Sequence, residues 1–343
     1  MRRLPTDPTE ILILVTPHFN MAGTMAFLDP FRAANYLDGR THFTWRVMSE
    51  TGGMCRASNG LAIEVEPLEL SRNLRPDLVI VSSSWTPEAY ASPGLLSAIR
   101  RLSRAGSYLG GIDTAAFILA ETGLLRGRKA TVHYEHIDAL GEKFPETEVT
   151  EDLFVHDAAI GTCCGGSAAS DYALFLIREL VGDALTNDCA KYLFHTAVRG
   201  PGTHQTDTHL EPLGNTAPPK VRRAIEIMEA HLENPITIPE ICELAEISQR
   251  QLIRLFRDYV KTSPQLYYRD IRLDRARGLV TQTELPMAQV ALAAGFASQV
   301  HFSRAYKARF GMPPSRDRID GRVPFEFRAW PMYRRSDVRQ SGD

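Results

Sequence analysis

The sequence has few cysteines and none of the spacings typical of redox or metal sites. Its five cysteines are Cys55, Cys163, Cys164, Cys189 and Cys242. Their number is odd, and no two of them have the CxxC spacing. Neither a disulfide framework nor a CxxC-type site is indicated. We expect reduced, mostly buried thiols.

Long apolar runs are also missing. After two N-terminal arginines, the first apolar stretch covers only residues 11–15. This is too short for the apolar region of a signal peptide and far too short to cross a bilayer. We therefore expect a cytoplasmic protein with no membrane partner.

A large net charge is absent, since 39 Lys and Arg nearly balance 41 Asp and Glu. The balance conceals an asymmetry along the chain. Residues 1–217 carry 18 basic against 26 acidic side chains, whereas residues 218–343 carry 21 against 15. At 343 residues the chain is long enough for two domains, and only the second, basic part is expected to face a polyanion.

The basic part contains a stretch at 287–314 with the pattern of helix, turn, helix. Gly295 permits the turn, and Phe302, Tyr306 and Phe310 recur every four residues. The pattern also occurs 50 residues earlier, in the pairs Ser248 and Ser298, Gln249 and Gln299, Leu252 and Phe302, Arg254 and Arg304, and Phe256 and Tyr306. The sequence therefore predicts two helix-turn-helix units, the second with one more residue in its turn, separated by a helix at 265–282.

A recognition helix in the DNA major groove presents the side chains of its first turns to base edges, where Arg can chelate guanine and Gln can pair with adenine. The candidates for base readout are Gln249, Arg250 and Arg254 in the first unit and Gln299, His301 and Arg304 in the second. The phosphate candidates are Lys307, Arg257, Lys261 and Arg309. Because Arg254 and Arg304 occupy equivalent places, either could instead hold a phosphate or pair with an acid in the core.

The acidic part alternates short apolar runs with helical patterns. Strands are predicted at 11–15, 43–48, 61–66, 78–81 and 108–112, and helices at 25–37, 95–102, 117–121, 168–180 and 185–198. This order predicts an α/β domain with a mainly parallel sheet. The predicted boundaries are a sensing domain at 8–200, a polar linker at 201–218, an all-α DNA-binding domain at 219–318 and a basic, partly disordered tail at 319–343.

One strand-to-helix junction is unusual. Gly110 and Gly111 precede Ile112-Asp113-Thr114, and a helix follows at once. Such an elbow holds one side chain at the carboxyl edge of a sheet, and enzymes that use it place a nucleophilic Ser or Cys there. Here the residue is Asp113.

The two halves together resemble the GlxA-like branch of the AraC/XylS transcriptional regulators. The resemblance rests on FLDPFRAANYL, YLGGIDTAAFILAETGLLRGRKATVHYEH and LFVHDAAIGTCCGGSAASDYALFLIREL in the first half and on GFASQVHFSRAYKARFGMPP in the second. It implies a sensor of the class I glutamine amidotransferase-like fold. In hydrolytic members of that superfamily the elbow carries a cysteine and an acid from the first helix leans over it. The matching places here hold Asp113 and Asp29, so the resemblance implies a sensor and not an enzyme.

Two carboxylates in one cleft would attract a cation, and aromatic side chains can stack on an ammonium group. The candidate ligand-binding residues are Asp113, Asp29, Trp85, Tyr134, His133 and Phe19, with Tyr90 as a further wall. The GGIDT elbow resembles that of regulators that sense glycine betaine, carnitine or arginine. The alternative is that Asp113 caps its helix and that the aromatic residues belong to the core.

His133 and His136 form an HxxH pair, but their context at a helix start favours solvated histidines, so we expect no metal and no cofactor. The resulting hypothesis is a transcriptional activator of a catabolic operon that binds double-stranded DNA as a homodimer. Its other expected partners are a small cationic effector and RNA polymerase. The alternatives are a ligand-independent regulator whose first domain only dimerises, and an amidase-like enzyme with an appended DNA-binding domain.

Overall fold

A computed structural model describes residues 7–157, 159–205 and 218–320. These residues form two compact units, an α/β unit up to residue 205 and a helical unit from residue 218. Most of the predicted linker and nearly all of the predicted tail lie outside the described residues.

The strands of the α/β unit are β1 (Thr9–Val15), β2 (Phe43–Ser49), β3 (Gly53–Arg56), β4 (Ala62–Pro67), β5 (Leu78–Ser83), β6 (Tyr108–Asp113), β7 (Lys129–Ala130), β8 (Glu148–Val149), β9 (Phe154–Asp157) and β10 (Ile160–Cys163). Strands β7 and β8 form a small separate pair, and the others form one sheet in the order β3-β4-β2-β1-β5-β6-β10-β9. Its inner pairs are parallel, and the outer pairs β3–β4 and β9–β10 are antiparallel. The predicted mainly parallel sheet is confirmed.

Helices cover both faces of this sheet. They are α1 (Met21–Asp38), α2 (Pro87–Tyr90), α3 (Pro93–Arg104), α4 (Ala115–Glu121), α5 (Ile137–Lys143), α6 (Ala168–Val181) and α7 (Asp183–Tyr192). Side chains of β1 alternate between two cores: Ile13 packs in the core with α1 and α6, and Leu12 in the core with α3 and α4. Because both faces are covered, polar groups of the parallel strands remain accessible mainly at their ends, and ligands of such folds bind at the carboxyl ends.

One predicted helix is shorter than expected. The pattern at 185–198 predicts a single helix, but α7 ends at Tyr192, and Phe194 has a left-handed backbone with a φ of 54°. The chain then turns back to Asp171, a fully buried carboxylate on α6. His195 Nε2 and Arg199 Nη2 lie 2.7 and 2.6 Å from its oxygens. The helix stops where the chain supplies this buried charge with partners.

The helical unit contains α8 (Pro219–Ala230), α9 (Ile238–Leu244), α10 (Gln249–Leu255), which continues into a π-helical turn at Phe256–Val260, α11 (Pro264–Gln282), α12 (Met287–Ala293), α13 (Gln299–Phe310) and α14 (Pro314–Asp320). The turn between α9 and α10 spans residues 245–248, and that between α12 and α13 spans 294–298. The two predicted helix-turn-helix units and the longer turn of the second one are confirmed. Each unit has its own core, centred on Leu252 and Phe256 in the first and on Phe302 and Tyr306 in the second.

Within the residues described, we find no helix that combines the length and the apolar character needed to cross a membrane.

Gly161 of β10 provides a test of the sheet packing. A Cβ at this position would collide with the hydroxyls of Tyr108 and Tyr172 and lie 2.7 Å from the carbonyl oxygen of Val155. The two hydroxyls form a 2.7 Å hydrogen bond that the methyl group would disrupt. We expect Gly161→Ala to lower the free energy of unfolding by about 2 kcal/mol, measured by urea denaturation with tryptophan fluorescence.

Gly141→Ala in α5 is the matched control. No atom outside its own helix lies within 4 Å of the added Cβ, and alanine favours a helix over glycine. The free energy of unfolding of Gly141→Ala should equal or exceed that of the wild type. Equal effects of the two substitutions would contradict the packing argument.

Candidate functional site

Asp113 ends β6, and α4 begins two residues later at Ala115. Its φ is 62°, a left-handed conformation that costs free energy for a residue with a Cβ, and its side chain is buried. Thr114, not Asp113, is the residue that precedes α4, and no side chain caps that helix. The predicted elbow is therefore confirmed, and the alternative of a helix-capping Asp113 is wrong.

The carboxylate of Asp113 is held by the start of α1 and by the end of β5. Asn20 Nδ2 donates a 2.7 Å hydrogen bond to Asp113 Oδ2, while Asn20 Oδ1 accepts from the amide of Gly23 and caps α1. Burial raises the pKa of Asp113, opposed by the nearby His133 charge and by hydrogen bonds from Asn20 and Ser84. These interactions therefore offset only part of the free energy that the carboxylate loses when it is removed from water.

Asp29 does not join this site. It lies on α1 about 12 Å along the axis from the first residue, at 1.5 Å per residue. There its exposed carboxylate forms a two-point ion pair with Arg32, at 2.5 and 3.0 Å. The prediction that Asp29 leans over the elbow is wrong, because α1 begins at Met21 and brings Asn20, not Asp29, to Asp113.

An aromatic cluster lies at the same edge of the sheet. The His18 ring stacks on Trp85 at a centroid distance of 6.4 Å and an angle of 29°, and lies 6.2 Å from Tyr90. Trp85 follows β5 directly after Ser84, whose side chain contacts Asp113. Trp85 therefore lies next to a residue that contacts the elbow, and its role as a wall of a ligand site stays a prediction.

The other two predicted aromatic walls differ in position. Phe19 is completely buried in the core under α1, so it is a core residue and its assignment to the ligand site is wrong. Tyr134 is half-exposed, with its ring 4.5 Å from that of His133. His133 itself is close enough to influence the Asp113 carboxyl electrostatically, as expected.

Backbone strain is concentrated at this edge. His18, Thr86 and Asp113 have positive φ values of 61°, 52° and 62°. They lie at the carboxyl ends of the neighbouring strands β1, β5 and β6, or just after them. Left-handed non-glycine residues cost about 1–3 kcal/mol each and are enriched at ligand-binding and catalytic sites. The strand order also reverses at β1, which is where open α/β sheets bind ligands. We call His18, Asn20, Trp85 and Asp113 the elbow crevice.

The HxxH pair has a third potential ligand. Among the described residues, one nitrogen or oxygen atom from each of His133, Glu135 and His136 lies within 4.8 Å of the others. His133 Nδ1 and Glu135 Oε2 are 3.7 Å apart, which is also compatible with an ordinary ion pair. The set could hold a divalent cation, but its geometry has no feature that requires one.

The proposed DNA-reading side chains lie on exposed surfaces of the two recognition helices, α10 and α13. Ser248 and Ser298 cap them by accepting hydrogen bonds from the amides of Gln251 and His301. The exposed candidates are Gln249, Arg250, Arg254, Gln299, His301, Arg304 and Lys307. Across the ranges that the structure describes, no carboxylate lies within 4 Å of Arg254 or Arg304, so the alternative of a core ion pair does not apply to them.

Arg309 has a different role. Its guanidinium lies 2.9 Å from Asp270 Oδ2 and 2.6 Å from Asp274 Oδ2, both on α11. These two carboxylates compete with the predicted phosphate contact, which stays a prediction. Arg257 and Lys261 are exposed, and both contact Asp258.

Arg272 connects the spacer helix α11 to the second helix-turn-helix unit. Its guanidinium donates a 3.0 Å hydrogen bond to the carbonyl of Gly295, in the turn between α12 and α13, and lies over the rings of Tyr268 and Phe296. Burial lowers the pKa of Arg272. Gly295 is also packed tightly, since a Cβ there would lie 2.5 Å from the carbonyl oxygen of Leu232. These contacts fix the second turn against the rest of the unit.

Sequence reasoning did not identify Asn20 or His18. A signal existed for Asn20, because asparagine is a favoured N-cap and here precedes a helical pattern. None existed for His18, whose position depends on the pairing of Phe19 with Ala57 and on the bond from its amide to the Arg56 carbonyl.

Comparison with known proteins agrees with this architecture. The DJ-1/PfpI family model matches residues 9–179, and a helix-turn-helix domain model matches residues 241–319. A THiJ/PfpI family protein from Pseudomonas syringae has a similar fold, with a TM-score of 0.50 at 20% identity, covering 70% of this chain and 90% of that chain.

Relatives of similar length are regulators. The HTH-type transcriptional regulator CdhR of Pseudomonas aeruginosa is 38% identical over 90% of this chain and 91% of its own length. The HTH-type transcriptional regulator GlxA of Rhizobium meliloti is 35% identical over 89% of this chain and 94% of its own length. The chain therefore belongs to the GlxA-like branch of the AraC/XylS family of DNA-binding transcriptional regulators.

Proposed function

We propose that this protein is a transcriptional activator of a catabolic operon, controlled by a small cationic nitrogenous metabolite that binds at the elbow crevice. The ligand class is that of glycine betaine, carnitine and arginine. The observation that carries the proposal is the buried Asp113 carboxylate on a strained elbow beside the stacked rings of Trp85 and His18.

The charge at the elbow supports a cationic ligand. Burial raises the pKa of Asp113, so ionising this carboxyl costs free energy that a bound cation would restore. The Asn20 side-chain amide donates a hydrogen bond to this carboxylate but carries no charge. A cationic ligand would supply the positive charge that Asn20 does not. Trp85 offers the aromatic face on which an ammonium group is stabilised.

The elbow favours sensing over hydrolysis. A carboxylate can act as a nucleophile when a base or acid assists it. Asp113, however, already accepts a 2.7 Å hydrogen bond from Asn20, which engages one oxygen of the carboxylate and weakens it as a nucleophile. The strained position is therefore interpreted as part of a binding site.

Control of transcription requires two states with different affinities for the effector. We propose that the cytoplasmic protein acts as a homodimer, that effector binding at the crevice favours one dimer arrangement, and that this arrangement places α10 and α13 for paired DNA half-sites and for contact with RNA polymerase. Exposed Gln and Arg side chains on both recognition helices support base readout, and Lys307 supports phosphate binding.

The effector assignment is tested by isothermal titration calorimetry of the full-length protein with glycine betaine, carnitine and arginine. We expect Asp113→Ala to weaken binding of the active ligand about tenfold or more, because a charge-assisted contact contributes about 1.5–3 kcal/mol. Asp29→Asn is the control and should bind as the wild type does. No binding of any of the three to the wild type, or unchanged binding by Asp113→Ala, would reject the elbow as effector site.

Asp113→Asn should raise the melting temperature at pH 7. The raised pKa means that the folded state binds the proton of Asp113 more tightly than the unfolded state. Its stabilising contribution is present below the unfolded pKa and is lost as pH rises through the folded pKa. Asparagine carries no charge to desolvate and tolerates a positive φ.

Thermal unfolding of both proteins at pH 5 and pH 7 tests this expectation. The advantage of Asp113→Asn should be larger at pH 7. A variant that melts below the wild type at both pH values would show that the carboxylate stabilises the fold.

Arg254→Ala separates base readout from phosphate binding. If Arg254 contacts a base, its loss should cost about 1–3 kcal/mol on the operator, with little effect on unrelated DNA. If it contacts a phosphate, affinity should fall on all sequences and the salt dependence should become shallower. Arg223→Ala on α8, whose guanidinium pairs with Glu226, is the control in fluorescence anisotropy at several salt concentrations. Unchanged affinity for every DNA would remove Arg254 from the interface.

A further inference from the structure

A second candidate ligand site lies at the same edge of the sheet. A cavity of about 270 Å³ is lined by the end of β1 and the loop after it, the turn between β2 and β3, β3 itself, and Leu68, Tyr90 and Leu95. No lining residue comes from β6 or α4, so the cavity is separate from Asp113. It adjoins the aromatic cluster, because Tyr90 lines the cavity and also contacts His18.

The position and size of the cavity suit a small metabolite. The cavity lies at the carboxyl end of β1. In the sheet β1 has β2 on one side and β5 on the other, so the strand order reverses here. Open α/β sheets bind ligands at this point. A volume of 270 Å³ is just below the range of about 300–1,000 Å³ typical of sites for drug-sized ligands, so the expected occupant is a smaller molecule.

Two opposite charges line this cavity without pairing with each other. Glu50 begins the turn after β2 and Arg56 ends β3, and among the described residues these two side chains form no ion pair with each other. Glu50 Oε1 accepts a 2.5 Å hydrogen bond from Ser92, which also caps α3. Within the described chain, Arg56 has no carboxylate within 4 Å. One anionic and one cationic group are therefore available to a ligand.

The remaining lining is mostly apolar and includes one aromatic ring. Val15, Leu68 and Leu95 supply aliphatic surface, and Tyr90 supplies a ring held against His18. An aromatic ring beside a carboxylate stabilises an ammonium group, and a guanidinium binds a carboxylate through two hydrogen bonds. The lining is complementary to a molecule that carries both charges.

We propose that this cavity binds a compact zwitterion, with its carboxylate on Arg56 and its cationic nitrogen between Glu50 and Tyr90. The inference rests on the proposed function only in that the α/β unit senses a small nitrogenous metabolite. It adds a carboxylate to the chemistry that is recognised, and it does not depend on Asp113.

Glycine betaine and choline are matched probes, because both carry a trimethylammonium group and only glycine betaine has a carboxylate. By calorimetry on the full-length protein, Arg56→Gln should weaken glycine betaine binding about tenfold or more, and Arg56→Lys should restore part of the loss. Binding of choline should change less than twofold. Arg46→Gln on β2 is the control, since Arg46 already pairs with Glu66, and it should leave glycine betaine binding unchanged.

His18 provides a second readout that does not depend on affinity. Burial first, and the Arg56 charge second, lower the pKa of His18. A ligand carboxylate on Arg56 would offset that charge, so the His18 pKa measured by NMR should rise on addition of glycine betaine and stay constant with choline.

The outcomes separate this inference from the proposed function. Glycine betaine binding that survives in Arg56→Gln but is lost in Asp113→Ala would overturn the cavity site and leave the effector assignment intact. Equal losses for glycine betaine and choline in Arg56→Gln would also overturn it, because the carboxylate would then play no part. No binding of glycine betaine, carnitine or arginine to the wild type would overturn both.

Discussion

The hydrogen bond from Asn20 to Asp113 is the contact on which the sensing edge depends. It joins the start of α1, which follows β1 along the chain, to the end of β6, and in the sheet β5 lies between β1 and β6. Asn20 also caps α1, so one side chain fixes both the helix start and the carboxylate. Three left-handed residues, His18, Thr86 and Asp113, lie at this edge of the sheet, and the largely buried strands behind them hold their strained backbone in place.

A comparable constraint operates in the helical unit. A bipartite reader can match two successive major-groove faces, about 34 Å apart, only if the spacing of its recognition helices is fixed. Arg272 contributes to this by joining the spacer helix to the second turn through the Gly295 carbonyl and two aromatic rings. Arg309 acts in the same direction by pairing with Asp270 and Asp274 of the spacer. Some arginines in a basic DNA-binding unit therefore hold its shape through contacts within the unit.

The sequence predicted the elements whose signals are local. Apolar runs located β1 and β5, the spacing of aromatic residues located α13, and an internal repeat revealed both helix-turn-helix units. Site residues on loops were harder to predict, because their positions depend on strand pairing and on exact helix starts. Asp29 is assigned to the elbow from the resemblance to hydrolytic relatives, in which an acid of the first helix leans over the nucleophile. In this chain Asn20, the N-cap of α1, contacts Asp113 instead. Charge alone likewise could not distinguish Arg309, which is paired, from Arg304, which is exposed.

The charged groups of the two candidate sites differ in how deeply they are buried. At the elbow the carboxylate is buried, and its raised pKa records the free energy lost on burial. At the cavity, Glu50 and Arg56 are exposed, so their charges remain hydrated until a ligand replaces water. A ligand therefore gains most per contact at Asp113, whereas discrimination between a cation and a zwitterion is better made at Arg56. A sensor that combined both would respond to the carboxylate of its effector as well as to its nitrogen, and would thereby distinguish a zwitterion from a simple cation.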